Sequence, residues 1–261
     1  MNPALWISKT GLDAQQTRLS VISNNLANVN TTGFKRDQAI FQDLIYQNKK
    51  QAGGQTTEDT RSPSGLSTGT GVRVVATEKL HTQGNLTQTG NPLDMAILGR
   101  GFFQIQQADG TQAYTRDGTF QIDSNGQVVT SQGLLLQPAI TIPGDTQSLT
   151  IGQDGTISAI TGTNTTPTTL GNVQLSDFVN PAGLQPEGNN LFTETAASGS
   201  PTTGTPNLNG LGAIENGAVE TSNVNVVEEL VNMIETQRAY EMNSKVISTT
   251  DQMLQYVSNN L

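Results

Sequence analysis

Residues 225–261, at the carboxyl end, read NVVEELVNMIETQRAYEMNSKVISTTDQMLQYVSNNL, and they decide the fold. Asn225 followed by Glu228 resembles a capping box, and Glu228 with Glu229 suits the positive end of a helix. The pattern predicts a helix from about 225 to 258. Residues that repeat strictly every seven positions keep facing a neighbouring helix only when the helices supercoil. This helix therefore needs partner helices. The repeating apolar positions are Val226, Met233, Tyr240, Ile247, Leu254 and Leu261, with Leu230 and Ile234 beside them.

A second helix is predicted at the amino end. Asn2 suits the N-cap position, because its side chain can accept a hydrogen bond from a backbone amide of the first turn that has no partner within the helix. Pro3 suits the first helical position, because its fixed φ angle matches the helix. The helix should run from 3 to about 29, roughly 40 Å at 1.5 Å per residue, and Gly33 should close it. Its apolar seam consists of Leu5, Leu12, Leu19 and Leu26, with Ile22 adjoining.

The two helices admit two interpretations. Amphipathic helices that lie on a globular core are the commoner arrangement. Here, however, the helices occupy opposite extremes of the chain, and part of each seam is polar, so that packing against further helices is needed. We therefore predict an α+β fold, with long N- and C-terminal helices that pair as a coiled coil and a mostly antiparallel β middle domain. The polar seam positions are Ser8, Gln15, Gln237 and Ser244.

From Val72 onward the middle of the chain is typical of β-structure. Short alternating runs are separated by Asp-Gly or Asn-Gly pairs, which predict tight hairpins. Each carboxylate is isolated, whereas a calcium loop needs several within a dozen residues, so we interpret them as turn residues. Residues 46–63 are polar and Gly-containing without an apolar period, which predicts a flexible loop. The pairs lie at 109–110, 117–118, 125–126 and 154–155.

The composition argues against an enzyme or a metal protein. The chain has no cysteine, so it has neither a disulfide framework nor a thiolate metal site. A single histidine, His81, leaves no room for a histidine metal cluster or a Ser-His-Asp triad, and we expect it to be an ordinary loop or strand residue. We predict no catalytic residue, no cofactor and no metal.

The charge distribution restricts the partners. The formal net charge is −9, and no lysine occurs between Lys79 and Lys245. An acidic middle repels nucleic acid and anionic lipid, so we expect neither partner. Arg100 and Arg116 are interpreted as surface residues that pair with acidic neighbours, or else contact an acidic neighbouring subunit. No apolar run reaches membrane-span length, and the start lacks the pattern of a cleavable signal, so export without one is expected.

Two runs carry a resemblance to a known family. Residues 23–35 read SNNLANVNTTGFK and closely resemble the signature of flagellar basal-body rod and hook proteins. Residues 220–254 resemble the carboxyl-terminal block of that family, and the central GRGFFQI and YTRDGTFQID resemble its β domain. The residues that carry the amino-terminal motif are Asn25, Leu26, Ala27, Asn28, Thr32, Gly33 and Phe34.

The resemblance implies a structural subunit that leaves through the flagellar type III export apparatus and polymerises into a helical tube. Its implied domains are an inner coiled-coil domain of residues 1–34 with 221–261, a connecting segment of residues 35–95, and an outer β domain of residues 96–220. Its implied partners, in a basal body that spans the periplasm, are copies of itself, proximal rod proteins, the hook protein and the surrounding ring (bushing) proteins. The implied assembly seam comprises Leu5, Leu12, Leu19, Ile22, Leu26, Val226, Leu230, Met233, Tyr240, Ile247 and Leu254.

Within the family, the chain length and residues 46–63 resemble the members that form the distal rod. Hook proteins lack such a segment, and its presence is associated with a straight, stiff rod. A hook or proximal rod subunit remains the alternative. We expect residues 46–63 to become ordered only between subunits, and the terminal helices to be largely disordered in the free monomer.

Two other classes of protein stay open. A secreted binding module would share the acidic β middle, but it would not need a seven-residue seam at both ends. A peptidoglycan-cleaving enzyme would need paired carboxylates in a distinct domain, and none stands out in the sequence.

Overall fold

The computed structural model describes residues 3–53, 63–162 and 166–259. Its two long helices are α1 (Pro3–Ala27) and α2 (Val226–Asn259), which end within two residues of the predicted positions. The β middle between them is mostly antiparallel, so the predicted α+β fold is confirmed. The Asn2 cap and Leu261 lie outside the described residues.

The described strands are short, as expected for a chain with many turn residues. In chain order they are β1 (Asp37–Asp43), β2 (Gln47–Lys50), β3 (Leu66–Thr68), β4 (Val72–Lys79), β5 (Leu86–Gln88), β6 (Met95–Leu98), β7 (Phe102–Gln106), β8 (Gln112–Thr115), β9 (Phe120–Ile122), β10 (Val128–Thr130), β11 (Leu135–Gln137), β12 (Thr146–Ile151), β13 (Thr156–Thr161), β14 (Thr168–Asn172), β15 (Leu175–Asp177), β16 (Gln185–Gly188), β17 (Leu191–Thr193), β18 (Thr202–Gly204), β19 (Ala213–Asn216) and β20 (Ala218–Glu220). A single 3₁₀ turn of the described chain, Pro181–Gly183, precedes β16.

The chain forms two compact units. The helical unit comprises residues 1–26, 37–78 and 225–261, and the β unit comprises residues 27–36 and 79–224. The segment predicted as a connecting layer is therefore shared between the two. The three-layer arrangement implied by the family resemblance stays a prediction.

In the helical unit, α1 and α2 pack against each other in antiparallel orientation. Nη2 of Arg18 donates to Oδ1 of Asn232 at 3.4 Å. Further toward the start of α1, a Cβ placed on Gly11 would lie 3.1 Å from Nδ2 of Asn243, so the helices approach closely there. Residue numbers fall along α1 as they rise along α2, which defines the antiparallel pairing.

The strands of the helical unit form two small two-stranded sheets, β1 with β4 and β2 with β3. Asn25 ties the end of α1 to the first of them, since its Nδ2 donates to the carbonyl of Asp37 at 2.9 Å and its Oδ1 accepts from the amide of Asp37 at 2.8 Å. The β2–β3 pair corrects one prediction. The segment 46–63 is not unstructured throughout, because residues 47–50 form a strand paired with 66–68 in the single chain. Residues 54–62 lie outside the described part.

The β unit is built around a nine-stranded sheet. Seven strands follow the order β16-β17-β8-β7-β11-β10-β9, and β15 joins this sheet through β7 and also pairs with β18. A three-stranded sheet, β12-β13-β14, and the pairs β19-β6 and β20-β5 complete the unit. The main core is aliphatic and aromatic, with Phe103, Ile105 and Leu136 fully buried. A second, aromatic core contains Phe102, Tyr114, Phe178, Leu184 and Phe192.

Three of the four predicted hairpins are confirmed. The turns at 109–110, 125–126 and 154–155 connect β7 to β8, β9 to β10 and β12 to β13, and each of these strand pairs is antiparallel. The hairpin predicted at 117–118 is wrong, because β8 pairs with β7 and β17 while β9 pairs with β10. Asp117 instead accepts hydrogen bonds from the amide and hydroxyl of Thr119 at 3.1 and 2.9 Å, so its carboxylate organises a bend between strands of the same sheet.

Candidate assembly surfaces

The first turn of α2 is capped as the sequence predicted. Oδ1 of Asn225 accepts from the amide of Val227 at 3.1 Å and from the amide of Glu228 at 3.5 Å. Two of the orphan amides at the helix start therefore have a partner, and Glu228 and Glu229 lie beside the positive end of the helix dipole.

The face of α2 that turns inward in the single chain is polar. Glu229, Thr236 and Thr250 are its buried residues, and half-buried Asn243 lies on the same line, next to Gly11 of α1. These four residues, spaced by seven, are here called the inner polar line. The hydroxyls of Thr236 and Thr250 donate to carbonyls four residues back, at 2.6 and 2.8 Å, so their burial costs little. None of the fully buried side chains among the described residues of α2 is apolar.

The predicted seam residues of α2 are largely outside this contact. Four of them, Val226, Leu230, Tyr240 and Leu254, are between 39% and 46% exposed. Met233 and Ile247 are half-buried. A single chain thus leaves most of the predicted seam on α2 accessible, and its role in assembly stays a prediction.

On α1 the predicted leucine seam is half-buried. Leu5, Leu12, Leu19 and Leu26 are all of intermediate exposure, whereas Ile22 is buried. The other residues of α1 that are buried are Ser8, Ala14 and Asn25. The buried residues of α1 therefore combine one large apolar side chain with small and polar ones.

A second apolar face of α2 points away from the inner polar line, about half a turn around the helix. It consists of side chains that are between 48% and 70% exposed, and monomeric proteins rarely expose a long apolar strip. We call this face the outer stripe. Its members are Val227, Val231 and Ile234.

The end of the family motif lies against the β unit, and Gly33 is the residue that fixes it. Gly33 has φ of +67°, and a Cβ at this position would lie 2.6 Å from the amide nitrogen of Asp117 and 2.7 Å from the carbonyl carbon of Arg116. Its own amide donates to the carbonyl of Glu220 at 2.8 Å. Both the backbone angle and the close approach require glycine.

The motif residues next to Gly33 add polar and aromatic contacts. The Thr32 hydroxyl donates to Oδ1 of Asp117 at 3.0 Å, and Nδ2 of Asn190 donates to the Thr32 carbonyl at 3.0 Å. Phe34 is buried, with Nζ of Lys79 4.9 Å from the centre of its ring. These contacts hold residues 32–34 on the β unit.

The remaining motif residues form the end of α1 and the turn that follows it. Ala27 is the last helical residue, after Leu26. Asn28 then accepts from Thr31 twice, at its carbonyl and at its side-chain oxygen, both at 3.2 Å. The motif therefore encodes a helix end, a turn and a docking segment in succession.

Directly after the motif lies a buried ion cluster that the sequence did not indicate. Nζ of Lys35 lies 2.6 Å from Oε1 of Glu220, and Nη1 of Arg116 lies 3.3 Å from Oε2 of the same carboxylate. The side chains of Lys35 and Glu220 have no exposed surface. The cluster corrects the interpretation of Arg116 as a surface residue, because Arg116 is 4% exposed. Arg100, by contrast, forms an exposed ion pair with Asp177 at 3.1 Å.

Hydrogen bonds to the backbone complete this cluster. Nζ of Lys35 also donates to the carbonyl of Thr82 at 2.8 Å, and Nη2 of Arg116 donates to the carbonyl of Gly99 at 2.7 Å. Oε1 of Glu220 accepts from the amide of Gly84 at 2.8 Å. Burial lowers the pKa of Lys35, and the neighbouring Glu220 carboxylate opposes that shift. The only local sign in the sequence was the position of Lys35, immediately after the motif.

His81 lies beside this cluster and in the aromatic core. Its ring makes edge contacts with Phe102 and Phe192, at centroid distances of 5.4 and 5.6 Å. Burial, together with the positive charges of Lys35, Arg116 and Lys79, lowers its pKa to about 4. The histidine is therefore neutral at physiological pH and acts as a packing residue.

The described ranges contain no group of three or more histidine, cysteine, aspartate or glutamate side chains placed to hold a metal ion. None of the described helices is long and apolar enough to span a membrane.

Long terminal helices with exposed apolar side chains, on either side of a β-rich middle, are typical of axial structural proteins. Three family models match the chain: "Flagella basal body rod protein" at residues 6–35, "Flagellar hook protein FlgE/F/G D1 domain" at 96–159, and "Flagellar basal body rod FlgEFG protein C-terminal" at 215–261. The first contains the amino-terminal motif and the last contains the whole of α2.

Full-length relatives agree with these matches. The chain is 58% identical to the "Flagellar basal-body rod protein FlgG" of Buchnera aphidicola, over 99% of each chain. It is 48% identical to the protein of the same name from Borreliella burgdorferi, over 100% of this chain and 99% of the relative. For Bacillus subtilis the identity is 38%, over 98% of each. The chain belongs to the flagellar basal-body rod protein family.

Proposed function

We propose that this chain is a structural subunit of the distal rod in the bacterial flagellar basal body. Copies assemble into a stiff helical tube that transmits torque from the motor to the hook. The observation that carries the proposal is the full-length similarity to basal-body rod proteins, 58% over 258 residues for one relative. Membership of a family of structural rod components also disfavours an enzymatic role.

The outer stripe supports self-assembly. Burying the exposed half of one large apolar side chain contributes on the order of 1 kcal/mol, so a stripe of three such residues offers a gain to a neighbouring helix. The inner polar line offers no comparable gain. Packing between unlike surfaces of identical subunits, without closure into a ring, generates a helical tube.

The remaining elements of the proposal follow from family membership. The subunit reaches the basal body, which spans the periplasm, through the flagellar type III export apparatus. Its partners are copies of itself, proximal rod proteins below, the hook protein above and the ring proteins around it. The predicted seam residues on α1 and α2 lie in the inner layer of the tube.

Electron microscopy of the concentrated full-length protein tests this function. We expect straight filaments of uniform diameter, formed without nucleotide or metal. A chain that stays monomeric at the highest soluble concentration would contradict the proposal. Curved filaments would favour the hook alternative.

Residues 46–63 distinguish a rod subunit from a hook subunit in a second experiment. We propose that this segment, beyond its paired strand β2, lies between subunits and blocks the sliding that bending requires. Deletion of the segment should give filaments that curve, whereas replacement of residues 51–53 by an equal number of glycine and serine residues serves as the control. Straight, stiff filaments from the deletion variant would count against this role.

A further inference from the structure

The chain contains three Asn-Gly pairs, at 125–126, 209–210 and 216–217. Asparagine followed by glycine is chemically labile, because the glycine amide has no side chain to hinder its approach to the preceding side-chain amide. The reacting Asn-Gly dipeptide is the same at all three, although the flanking residues differ, so the fold is the main source of any large difference in reactivity.

In two of the pairs, the backbone nitrogen of the glycine, which would attack the asparagine side chain, donates a hydrogen bond. The amide of Gly126 donates to the carbonyl of Asp123 at 2.8 Å. The amide of Gly217 donates to the carbonyl of Asp94 at 2.8 Å, and Asn216 lies in β19, paired with Met95. In both pairs the nitrogen must lose its acceptor before it can react.

The pair at 209–210 differs in each of these respects. Asn209 has φ of +54° and Gly210 has φ of +82°, and the amide of Leu211 donates to the carbonyl of Leu208 at 3.0 Å, which defines a tight turn with both central residues left-handed. Both central residues are exposed. Within the described residues, the amide of Gly210 donates no hydrogen bond, and no atom lies within 4 Å of where its Cβ would be.

We propose that Asn209 is a site of spontaneous deamidation, and that the folded chain modifies it in preference to Asn125 and Asn216. The Gly210 nitrogen attacks Cγ of Asn209, the new N–Cγ bond closes a succinimide ring, and the Cγ–Nδ2 bond breaks. Nδ2 leaves as ammonia with the proton of the Gly210 amide. Water then opens the ring, to aspartate when it adds at Cγ and to isoaspartate when it adds at the main-chain carbonyl carbon.

Each product changes the exposed turn in a defined way. Aspartate adds one negative charge to a chain that already has a net charge of −9. Isoaspartate also routes the backbone through Cγ and lengthens the turn by one carbon. The class of reaction that consumes this second product is methyl transfer from S-adenosylmethionine to its free carboxylate, after which the ring closes again with loss of methanol.

The test compares the three sites in one molecule. Purified full-length protein is aged in mildly alkaline buffer at physiological temperature, and peptides containing each site are followed by mass spectrometry for the exchange of an amide for a carboxyl. We expect Asn209 to convert roughly three- to tenfold faster than the other two, the factor by which one hydrogen bond restrains an opening. In concentrated urea the three rates should approach one another, because the restraints of the fold are lost and the reacting dipeptide is the same.

An isoaspartyl methyltransferase with a labelled methyl donor provides the second measurement. Label should enter the aged chain, and an Asn209→Gln variant should lose most of it, since the longer side chain closes a ring poorly. Equal rates at the three sites in the folded chain, faster conversion at Asn125 or Asn216, or an unaltered Asn209 would each overturn the proposal.

Discussion

Gly33 is the residue at which the family motif meets the β unit, and its contacts predict the effect of a minimal substitution. Gly33→Ala places a methyl group within 2.6 Å of the Asp117 backbone at a φ that alanine rarely adopts. We expect a loss of roughly 2 to 3 kcal/mol in the free energy of unfolding of the β unit, measured by urea denaturation. Gly90→Ala is the control, because Gly90 has φ of +73° but no neighbouring atom, so only the backbone strain of about 1 kcal/mol remains. Equal losses in the two variants would contradict the steric argument.

Glu220 balances two buried cations, which predicts a large effect for an uncharged replacement. Glu220→Gln leaves Lys35 and Arg116 buried without an anionic partner, and breaking a buried ion pair in this way costs about 3 to 5 kcal/mol. Thermal unfolding of the full chain, followed by circular dichroism, measures the loss. Asp177→Asn removes the carboxylate of an ion pair whose arginine is exposed and should cost no more than about 1 kcal/mol. A wild-type melting temperature for Glu220→Gln would show that the cluster does not contribute to stability.

His81 predicts how stability depends on pH. Its pKa is about 4 in the folded chain and near 6.5 when exposed, so below pH 6.5 the unfolded chain binds a proton that the folded chain does not. Stability should be constant above pH 6.5, fall as pH decreases to about 4, and lose about 3 kcal/mol over that interval from this group. His81→Phe should abolish that part of the profile, with carboxylate titration remaining at lower pH. The prediction fails if the wild-type and variant profiles run parallel between pH 6.5 and 4.

At the scale of single residues, the sequence indicated the chemical role of a side chain but not which distant residues it contacts. Gly33 was predicted as a helix terminator, and its second role, the close approach to Asp117, depends on a bend far along the chain. Arg116 was interpreted as exposed because arginine usually is, and its carboxylate partner lies 104 residues away. Pairings between distant residues leave no periodic signal, so the buried ion cluster could not be inferred from local patterns.

The outer stripe of α2 gives a prediction about a whole helix face. Val231→Asp adds a charge to an exposed apolar position, which leaves the fold of the single chain unaffected but opposes burial against a neighbouring helix. We expect filaments to be lost, with a circular dichroism spectrum like that of the wild type, as measured by sedimentation and electron microscopy. Ser131→Asp, at an exposed position of the turn between β10 and β11, should still form filaments. Loss of assembly in both variants would mean that added charge alone, and not the stripe, is responsible.

Elements were predictable where their signals are local. The start of α2 follows from capping chemistry, and the extent of both helices follows from their seven-residue repeats. The hairpins at 109–110, 125–126 and 154–155 follow from turn residues between short runs. The pair at 117–118 has the same turn chemistry but joins strands that pair elsewhere in the sheet. The repeat also did not show which residues of α2 face inward, because this depends on how α2 packs against α1. In the structure, the inner polar line is the buried one.

On the scale of the whole molecule, burial is divided unequally between the two units. The β unit has an aliphatic and an aromatic core, whereas α2 buries only Glu229, Thr236 and Thr250 among its described residues. We therefore expect the amides of both terminal helices to exchange rapidly in dilute monomer while those of the β unit are protected. In assembled filaments the helix amides should become protected as well. Hydrogen exchange with mass spectrometry checks this, and strong protection of both helices in dilute monomer would refute it.

The hydrogen bond between Gly33 and Glu220 has a consequence for how such a chain changes over evolutionary time. Its 2.8 Å length brings the first and last parts of the β unit together at one point, although 186 residues lie between them. A polypeptide that enters and leaves a fold at neighbouring points behaves as an insert, and inserts tolerate gain, loss and exchange of material because their ends do not move. We expect insertions and deletions among homologues to concentrate between these two residues. The terminal helices, whose spacing the repeat fixes, should keep their length while the middle of the chain diversifies.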